Sequence, residues 1–334
     1  MTRIMNSADR FVDDMLEGLL AFAPGLRRDE VAARVIYADP DAGRRRVGIA
    51  TGGGSGHLPL FVGYVGAGLA DACAVGNVFE GPSLPACERA IRRADRGAGV
   101  LCLLGNYGGD RMNFALACDE VSDDIATRMV LGTDDIASAA PDEADRRRGV
   151  AGLILLYKAA GHCAASGAPL DEVADFTARA NARTRTIGAT FGPCTLPGSD
   201  GPNFEMRPGE VEMGMGIHGE PGLWRRALPD AGTLAADMVE RLLADPVDAR
   251  GDSVALLVNS LGATPPEELL ILYREVLGCL RAQGVSVEKV MVGPYVTSLE
   301  MPGVSLSLMW LDPDLRAAMA SPAAPVFSLG FGGA

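Results

Sequence analysis

Two of the three histidines in this 334-residue chain sit inside glycine-rich turns. His57 ends Thr51-Gly-Gly-Gly-Ser-Gly-His57, and His218 lies within Gly214-Met-Gly-Ile-His-Gly-Glu-Pro-Gly222. Glycine removes side-chain bulk and lets backbone and small ligands approach closely. Both imidazoles are therefore expected to be exposed, available as base, ligand or nucleophile. His218, flanked by Gly216 and Gly219, is the sterically open one and suits nucleophilic attack in its neutral form. A third glycine loop, Asn106-Tyr-Gly-Gly-Asp110, closes on a carboxylate. Two roles stand open for Asp110: N-cap of the helix that follows, or a group that orients His57 or takes a hydroxyl proton itself. His162 falls in an apolar helix and reads as a core or interface residue.

The same residues exclude other chemistry. The first loop lacks the lysine and Ser/Thr of G-x-x-x-x-G-K-[ST], and it is not a clean G-x-G-x-x-G with its ribose-binding acid. A small polar ligand held by backbone amides beside His57 fits it better than a nucleotide. Lysine occurs only at 158 and 289, neither in a conspicuous loop, which leaves little scope for Schiff-base chemistry. The seven cysteines, 73, 87, 102, 118, 163, 194 and 279, form no CxxC pair, so neither a disulfide framework nor a metal site is expected. A net charge of −13 argues against nucleic acid and anionic membrane as partners. The N-terminal ten residues lack the apolar stretch of a signal peptide, and no apolar run is long enough to span a bilayer, so a reduced, cytoplasmic protein is expected.

These loops need a scaffold, and the chain supplies one that reads as α/β. With 48% hydrophobic and 22% charged residues it can bury a large core. Helical spacing marks residues 8–22, 84–94, 149–166, 170–183, 234–243 and 266–283; short apolar strands are expected at 47–50, 70–75, 100–104, 211–217, 254–260, 285–292 and 304–311. Strand, loop and helix repeat through the first half, predicting a mostly parallel, Rossmann-like sheet with ligands beyond the carboxyl ends of its strands. Residues 137–148 read as a solvated connection. A loop-rich stretch with Pro193, Pro197, Pro202 and Pro208 follows the helices. Two α/β domains are predicted, 1–184 carrying His57 and Asp110, and 185–334 carrying His218.

In this order the motifs resemble the dihydroxyacetone kinase family, specifically its substrate-binding DhaK subunit. The resemblance rests on Gly52-Gly-Gly-Ser-Gly-His57, Asn106-Tyr-Gly-Gly-Asp110-Arg-Met-Asn-Phe114, Arg147-Arg-Gly-Val-Ala-Gly152 and Met213-Gly-Met-Gly-Ile-His-Gly-Glu-Pro-Gly222. Val258-Asn-Ser-Leu-Gly-Ala-Thr264 and Val12-Asp-Asp-Met-Leu-Glu-Gly18 extend it over almost the whole chain. It implies that His218 adds to a ketone carbon as a covalent hemiaminal with dihydroxyacetone. His57 and Asp110 would then act on the hydroxyl that receives a phosphoryl group, with the backbone of Gly54, Ser55 and Gly56, and with Gly105, lining the substrate. A homodimer is implied as well.

No second acidic cluster like that of the family's nucleotide-binding DhaL domain occurs before the chain ends at Phe331-Gly-Gly-Ala334. The expectation is therefore a chain that binds no cofactor itself and works with a DhaL-type partner carrying Mg-ATP, or Mg-ADP recharged by a phosphotransferase-system protein. Two positions depart from the family pattern. Gly105 stands where a substrate-contacting lysine is usual, and Leu58 where glutamate commonly follows the histidine. A tetrulose such as erythrulose is an alternative substrate, and a ligand-sensing coactivator of a transcription regulator is an alternative role.

Overall fold

The computed structural model describes residues 3–38, 43–248 and 251–327. The chain terminus at 331–334 lies outside the described residues.

The first half builds α1 (Phe11–Phe22), β1 (Leu26–Arg28), β2 (Val35–Ala38), β3 (Arg46–Ser55), β4 (Ala72–Val78), α2 (Leu84–Ala94), β5 (Gly97–Gly105), α3 (Gly108–Glu120), β6 (Thr127–Gly132), α4 (Leu153–Ala165) and α5 (Leu170–Ala182). Its six strands run in the order β1-β2-β4-β3-β5-β6. The four strands β4, β3, β5 and β6 are parallel, as predicted, and the short β1–β2 hairpin adds an antiparallel edge that the sequence pattern did not mark. Strand β6 also escaped prediction, because only Val130 and Gly132 of its six residues are buried and the apolar run is too short to stand out.

This strand order sets the site. The chain leaves β3 toward β4 on one side and leaves β5 toward β6 on the other. The carboxyl ends of β3 and β5 therefore flank a crevice where connections diverge, the place open parallel sheets bind ligands. His57 lies two residues beyond β3, and the Asp110 loop follows β5.

The second half contributes β7 (Thr184–Thr190), β8 (Glu210–Met213), β9 (Trp224–Ala227), α6 (Ala231–Ala244), β10 (Ser253–Ser260), α7 (Pro266–Ala282), β11 (Ser286–Gly293), β12 (Gly303–Trp310) and α8 (Pro313–Ala320). Its sheet, β11-β10-β12-β7-β8-β9, is antiparallel except for the β10–β11 pair. Helices α6 and α7 cover it through Leu234, Met238, Leu242, Leu269, Leu272 and Val276. Asp230 caps α6 by accepting from Thr233 N–H, a partner for one of the four orphan donors at a helix start.

One buried cluster joins the halves. Helix α4 is buried nearly all round, the pattern of a helix with core on every side. Its Leu153, Leu155 and Leu156 share a core with Ile217, Ala255, Leu257 and Val296 of the second half. The 137–148 connection holds a short 3-10 turn at Pro141–Arg146 and is only partly solvated: Arg147 is buried and paired with Asp245 at 2.6 Å. No helix among the described residues is long and apolar enough to cross a membrane.

Candidate functional site

The glycines before His57 form no open loop. Gly52, Gly53 and Gly54 are buried residues of β3 itself. A Cβ on Gly53 would stand 2.2 Å from the Phe61 ring, so glycine there makes room for the aromatic wall behind the site. The chain turns only at Gly56, whose φ of 97° favours glycine. Ser55 is turned away, its hydroxyl donating to Gly76 O at 2.8 Å.

His57 is consequently buried at 1% exposure, not exposed as its glycine neighbours suggested. Its Nδ1 bonds Thr297 O at 2.8 Å, which assigns the proton to Nδ1, and its buried Nε2 has no hydrogen-bond partner. Burial, reinforced by neighbouring His218, lowers this imidazole to about 3 despite the Thr297 contact and the charge of Glu220. His57 is therefore a neutral ring presenting a lone pair at Nε2.

His218 stands beside it, ring centroids 4.8 Å apart and edge-on at 72°. The Tyr107 ring meets His218 from another side, also at 4.8 Å. Phe79 stacks on His57 at 4.9 Å and touches His218 edge-on at 5.3 Å. Its φ of 61° is unusual for a bulky residue and marks a backbone held in place by its surroundings.

Glu220 grips His218 twice: Oε2 accepts from the His218 backbone N–H at 3.0 Å and Oε1 meets Nδ1 at 3.0 Å. Burial opposes ionisation of Glu220, yet the His218 contacts and the Arg148 charge bring it down to about 2. An ionised carboxylate only accepts, so Nδ1 of His218 donates, and in the neutral ring the lone pair is the one on Nε2. Arg148 is itself anchored on Asp135 at 2.8 Å and stands 3.7 Å from Glu220.

Asp110 is not the N-cap of α3. Tyr107 holds that position, and Asp110 is the third helical residue, 7% exposed, with Oδ1 buried and unpartnered. Burial pushes its carboxyl up to about 6, opposed by the nearby His218. The Tyr107 hydroxyl is likewise buried without a partner, and burial together with Glu220 pushes its phenol up. Gly105 lies under this ring: a Cβ there would come within 3.0 Å of Tyr107. Leu58 is half-buried and packs on the apolar core, its carbonyl accepting from Thr297 Oγ1 at 2.9 Å.

Segment 295–299 ties the halves together at this point. Asn259 clamps it with both ends of its amide, donating to Val296 O at 2.7 Å and accepting from Tyr295 N and Val296 N at 2.8 and 2.9 Å. Thr297 then reaches His57, and the Ser298 hydroxyl donates to Ile217 O beside His218. The structure thus gathers His57, Asp110 and His218, with the backbone of Gly54, Ser55 and Gly56 and with Gly105 at the same strand ends. His162 lies apart, half-buried on α4 beside a surface hollow of about 760 Å³. Tyr107 and Glu220 sat inside the motifs and could have been named from them. Phe79 and Thr297 had no local signal. Among the described residues no group of three or more His, Cys, Asp or Glu side chains is arranged to hold a metal ion.

Buried polar atoms are almost always hydrogen-bonded. Here three unpartnered ones, His57 Nε2, Asp110 Oδ1 and Tyr107 Oη, belong to residues arrayed around one imidazole. Such a set suits a small polyhydroxylated ligand.

Residues 17–327 match the Dak1 domain family. The chain is 42% identical over 328 residues to a D-erythrulose kinase of Mycolicibacterium smegmatis, covering 97% of this chain and 56% of that protein. It is 40% identical over 313 residues to the dihydroxyacetone-binding subunit DhaK of PTS-dependent dihydroxyacetone kinase 1 of Listeria innocua, covering 93% and 95% respectively. The structure superposes on the dihydroxyacetone kinase of C. freundii with a TM-score of 0.90 at 31% identity, over 98% of this chain and 60% of that one. It also superposes on the dihydroxyacetone kinase operon co-activator Dha-DhaQ, with a TM-score of 0.86 at 32% identity over 93% of this chain and 96% of that one. The chain thus spans little more than half of the erythrulose kinase and nearly all of the DhaK subunit. It belongs to the dihydroxyacetone kinase family, as a Dak1-domain protein of the DhaK type.

Proposed function

We propose that this chain is the substrate-binding subunit of a short-ketose kinase, holding its ketone covalently on His218. The carrying observation is a trio of unpartnered buried polar atoms on His57, Tyr107 and Asp110, the first two packed by their rings against an imidazole whose Nδ1 is committed to Glu220. Nε2 of His218 attacks the ketone carbon and forms a C–N bond, while the carbonyl π pair moves to oxygen. The Nδ1 proton is released toward Glu220 and one proton reaches the new alkoxide, so the hemiaminal forms with no net proton change. Glycerol, which offers no electrophilic carbon, is rejected at this step.

Covalent attachment converts the next step into one between fixed partners. The terminal hydroxyl of the bound ketose donates to His57 Nε2 or Asp110 Oδ1. Asp110, with a carboxyl near 6, is ionised at neutral pH yet basic enough to take the hydroxyl proton as that oxygen accepts a phosphoryl group. The phosphoryl group is supplied by magnesium nucleotide on a DhaL-type partner. A homodimer, as the resemblance implies, is part of this reading.

Dihydroxyacetone and erythrulose are both substrates to test, since Gly105 removes a cation from the ligand's surroundings. The test uses each ketose labelled with carbon-13 at the ketone, added to wild type and His218→Ala. Wild type is expected to move the carbonyl resonance into the region of a tetrahedral carbon bearing oxygen and nitrogen; the variant is expected to leave it unmoved. Absence of that resonance with every short ketose would sink the covalent mechanism. The similarity to Dha-DhaQ favours a second reading, a ligand-sensing coactivator. An adduct without phosphoryl transfer, with a DhaL partner and magnesium-ATP present, would select it.

A further inference from the structure

One pair of reactive side chains takes no part in this chemistry. Cys102 on β5 and Cys118 on α3 face each other with their sulfurs 3.7 Å apart. Cys102 is buried and Cys118 half-buried, so one thiol is reachable from solvent and the other waits behind it. Their elements also carry the Asp110 loop: β5 runs into Gly105, and α3 has Asp110 in its first turn, about two turns before Cys118. The contact is polarised. The Cys102 thiol, helped by Thr127, lowers Cys118 to about 7 against burial and Asp119. Cys102 itself is pushed well up by that same contact and by burial. Low-pKa, accessible thiols beside a resolving thiol are the ones that oxidise first.

We propose that Cys102 and Cys118 are a peroxide-oxidisable pair whose internal disulfide pins α3 to β5 and displaces Asp110. The Cys118 thiolate attacks one oxygen of hydrogen peroxide; the O–O bond breaks, hydroxide leaves and sulfur, oxidised by two electrons, becomes a sulfenic acid. Cys102 gives up its proton and attacks that sulfur, forming the S–S bond, and the departing hydroxyl leaves with the proton as water. Two thiols and one peroxide thus yield one disulfide and two waters. The sulfurs must close from 3.7 Å to ~2.05 Å. Strand β5 is paired on both sides, by β3 and β6, so most of that travel falls to α3. Displacing a catalytic group by about 1 Å costs on the order of 10² in rate.

The test treats the intact protein with stoichiometric hydrogen peroxide, then alkylates, digests with trypsin and measures masses. A loss of two hydrogens is expected, with the peptides 97–111 and 112–128 joined and released by dithiothreitol. Half-buried Cys279 is the internal control and should remain alkylatable. Cys118→Ser and Cys102→Ala should not form the linkage; Cys118→Ser, at a half-buried position, is the variant that keeps the test sound if the buried substitution fails to fold. Seven alkylatable thiols after peroxide, or a linkage between other cysteines, would each overturn the proposal. Its effect on turnover rests on the function proposed above. Phosphoryl transfer with a DhaL partner and magnesium-ATP should fall ~10²-fold on oxidation and recover with dithiothreitol. Disulfide formation with unchanged turnover overturns the link to Asp110, whereas no turnover before or after oxidation refutes the kinase reading alone.

Discussion

Asp110→Asn removes the Asp110 charge while keeping the side chain's shape, and it should make the protein more stable and less active. The carboxylate is 7% exposed and Oδ1 has no partner, so its ionised form forgoes hydration with nothing in exchange. Its rise from 3.8 to about 6 corresponds to ~3 kcal/mol against the ionised folded state. The folded chain keeps this proton until pH about 6, whereas the unfolded chain releases it near its ordinary value. Between those values the native state binds more protons, so stability present at low pH is lost as pH rises through the folded pKa. Asparagine never ionises and escapes the loss. Urea unfolding of both proteins from pH 4 to pH 8 should show wild type losing up to ~3 kcal/mol relative to the variant, most of it before pH 7. Phosphoryl transfer by the variant should fall on the order of 10²- to 10⁴-fold if Asp110 takes the proton. Parallel stability curves across this pH range would refute the desolvated carboxylate, and full turnover in the variant would remove Asp110 from catalysis.

Glu220→Gln preserves volume but replaces the ionised acceptor of His218 Nδ1 with a neutral amide. A hydrogen bond to a charged group contributes ~1.5–3 kcal/mol, so ketose binding measured by calorimetry should weaken about 10- to 100-fold. Unchanged affinity would show that Glu220 does not hold the tautomer. Gly53→Ala drives a Cβ to within 2.2 Å of the Phe61 ring and should cost ~1–3 kcal/mol or more in urea unfolding. Gly108→Ala, with nothing within 4 Å of the added carbon, is the control expected to be near neutral.

Much of this protein was legible locally. Helices α2, α5 and α7 announce themselves by 3.6-residue apolar spacing, α4 by a long apolar run, and β3, β5, β10 and β12 by short apolar runs, because burial on one face imposes a period and burial all round removes it. The order of strands and helices in the first half was enough to predict a parallel sheet with loops at its strand ends, and the motifs carried His57, Asp110 and His218 together with the family. Strands β1, β2, β6, β7 and β9 were missed: β1, β6 and β9 are edge strands that bury little, β2 is only four residues long, and β7, though central and mostly buried, reads Thr184-Arg-Thr-Ile-Gly-Ala-Thr190 with no apolar run to mark it.

What the sequence by itself determined was the inventory: two imidazoles, a carboxylate, and glycine where the chain must pass closely. Tertiary structure alone decided what each is chemically. The three glycines before His57 look like a loop, but Phe61, Phe114 and Glu80 close over them and make them strand. His57 is neutral because Phe79 and the 297 carbonyl enclose it, and these lie 22 and 240 residues away along the chain. Asp110 holds its proton unusually well because the fold strips water from it and supplies no donor to Oδ1. Spacing along a chain records which residues share a face; protonation and tautomer depend on whatever distant segments exclude water, and that is a property of the assembled fold.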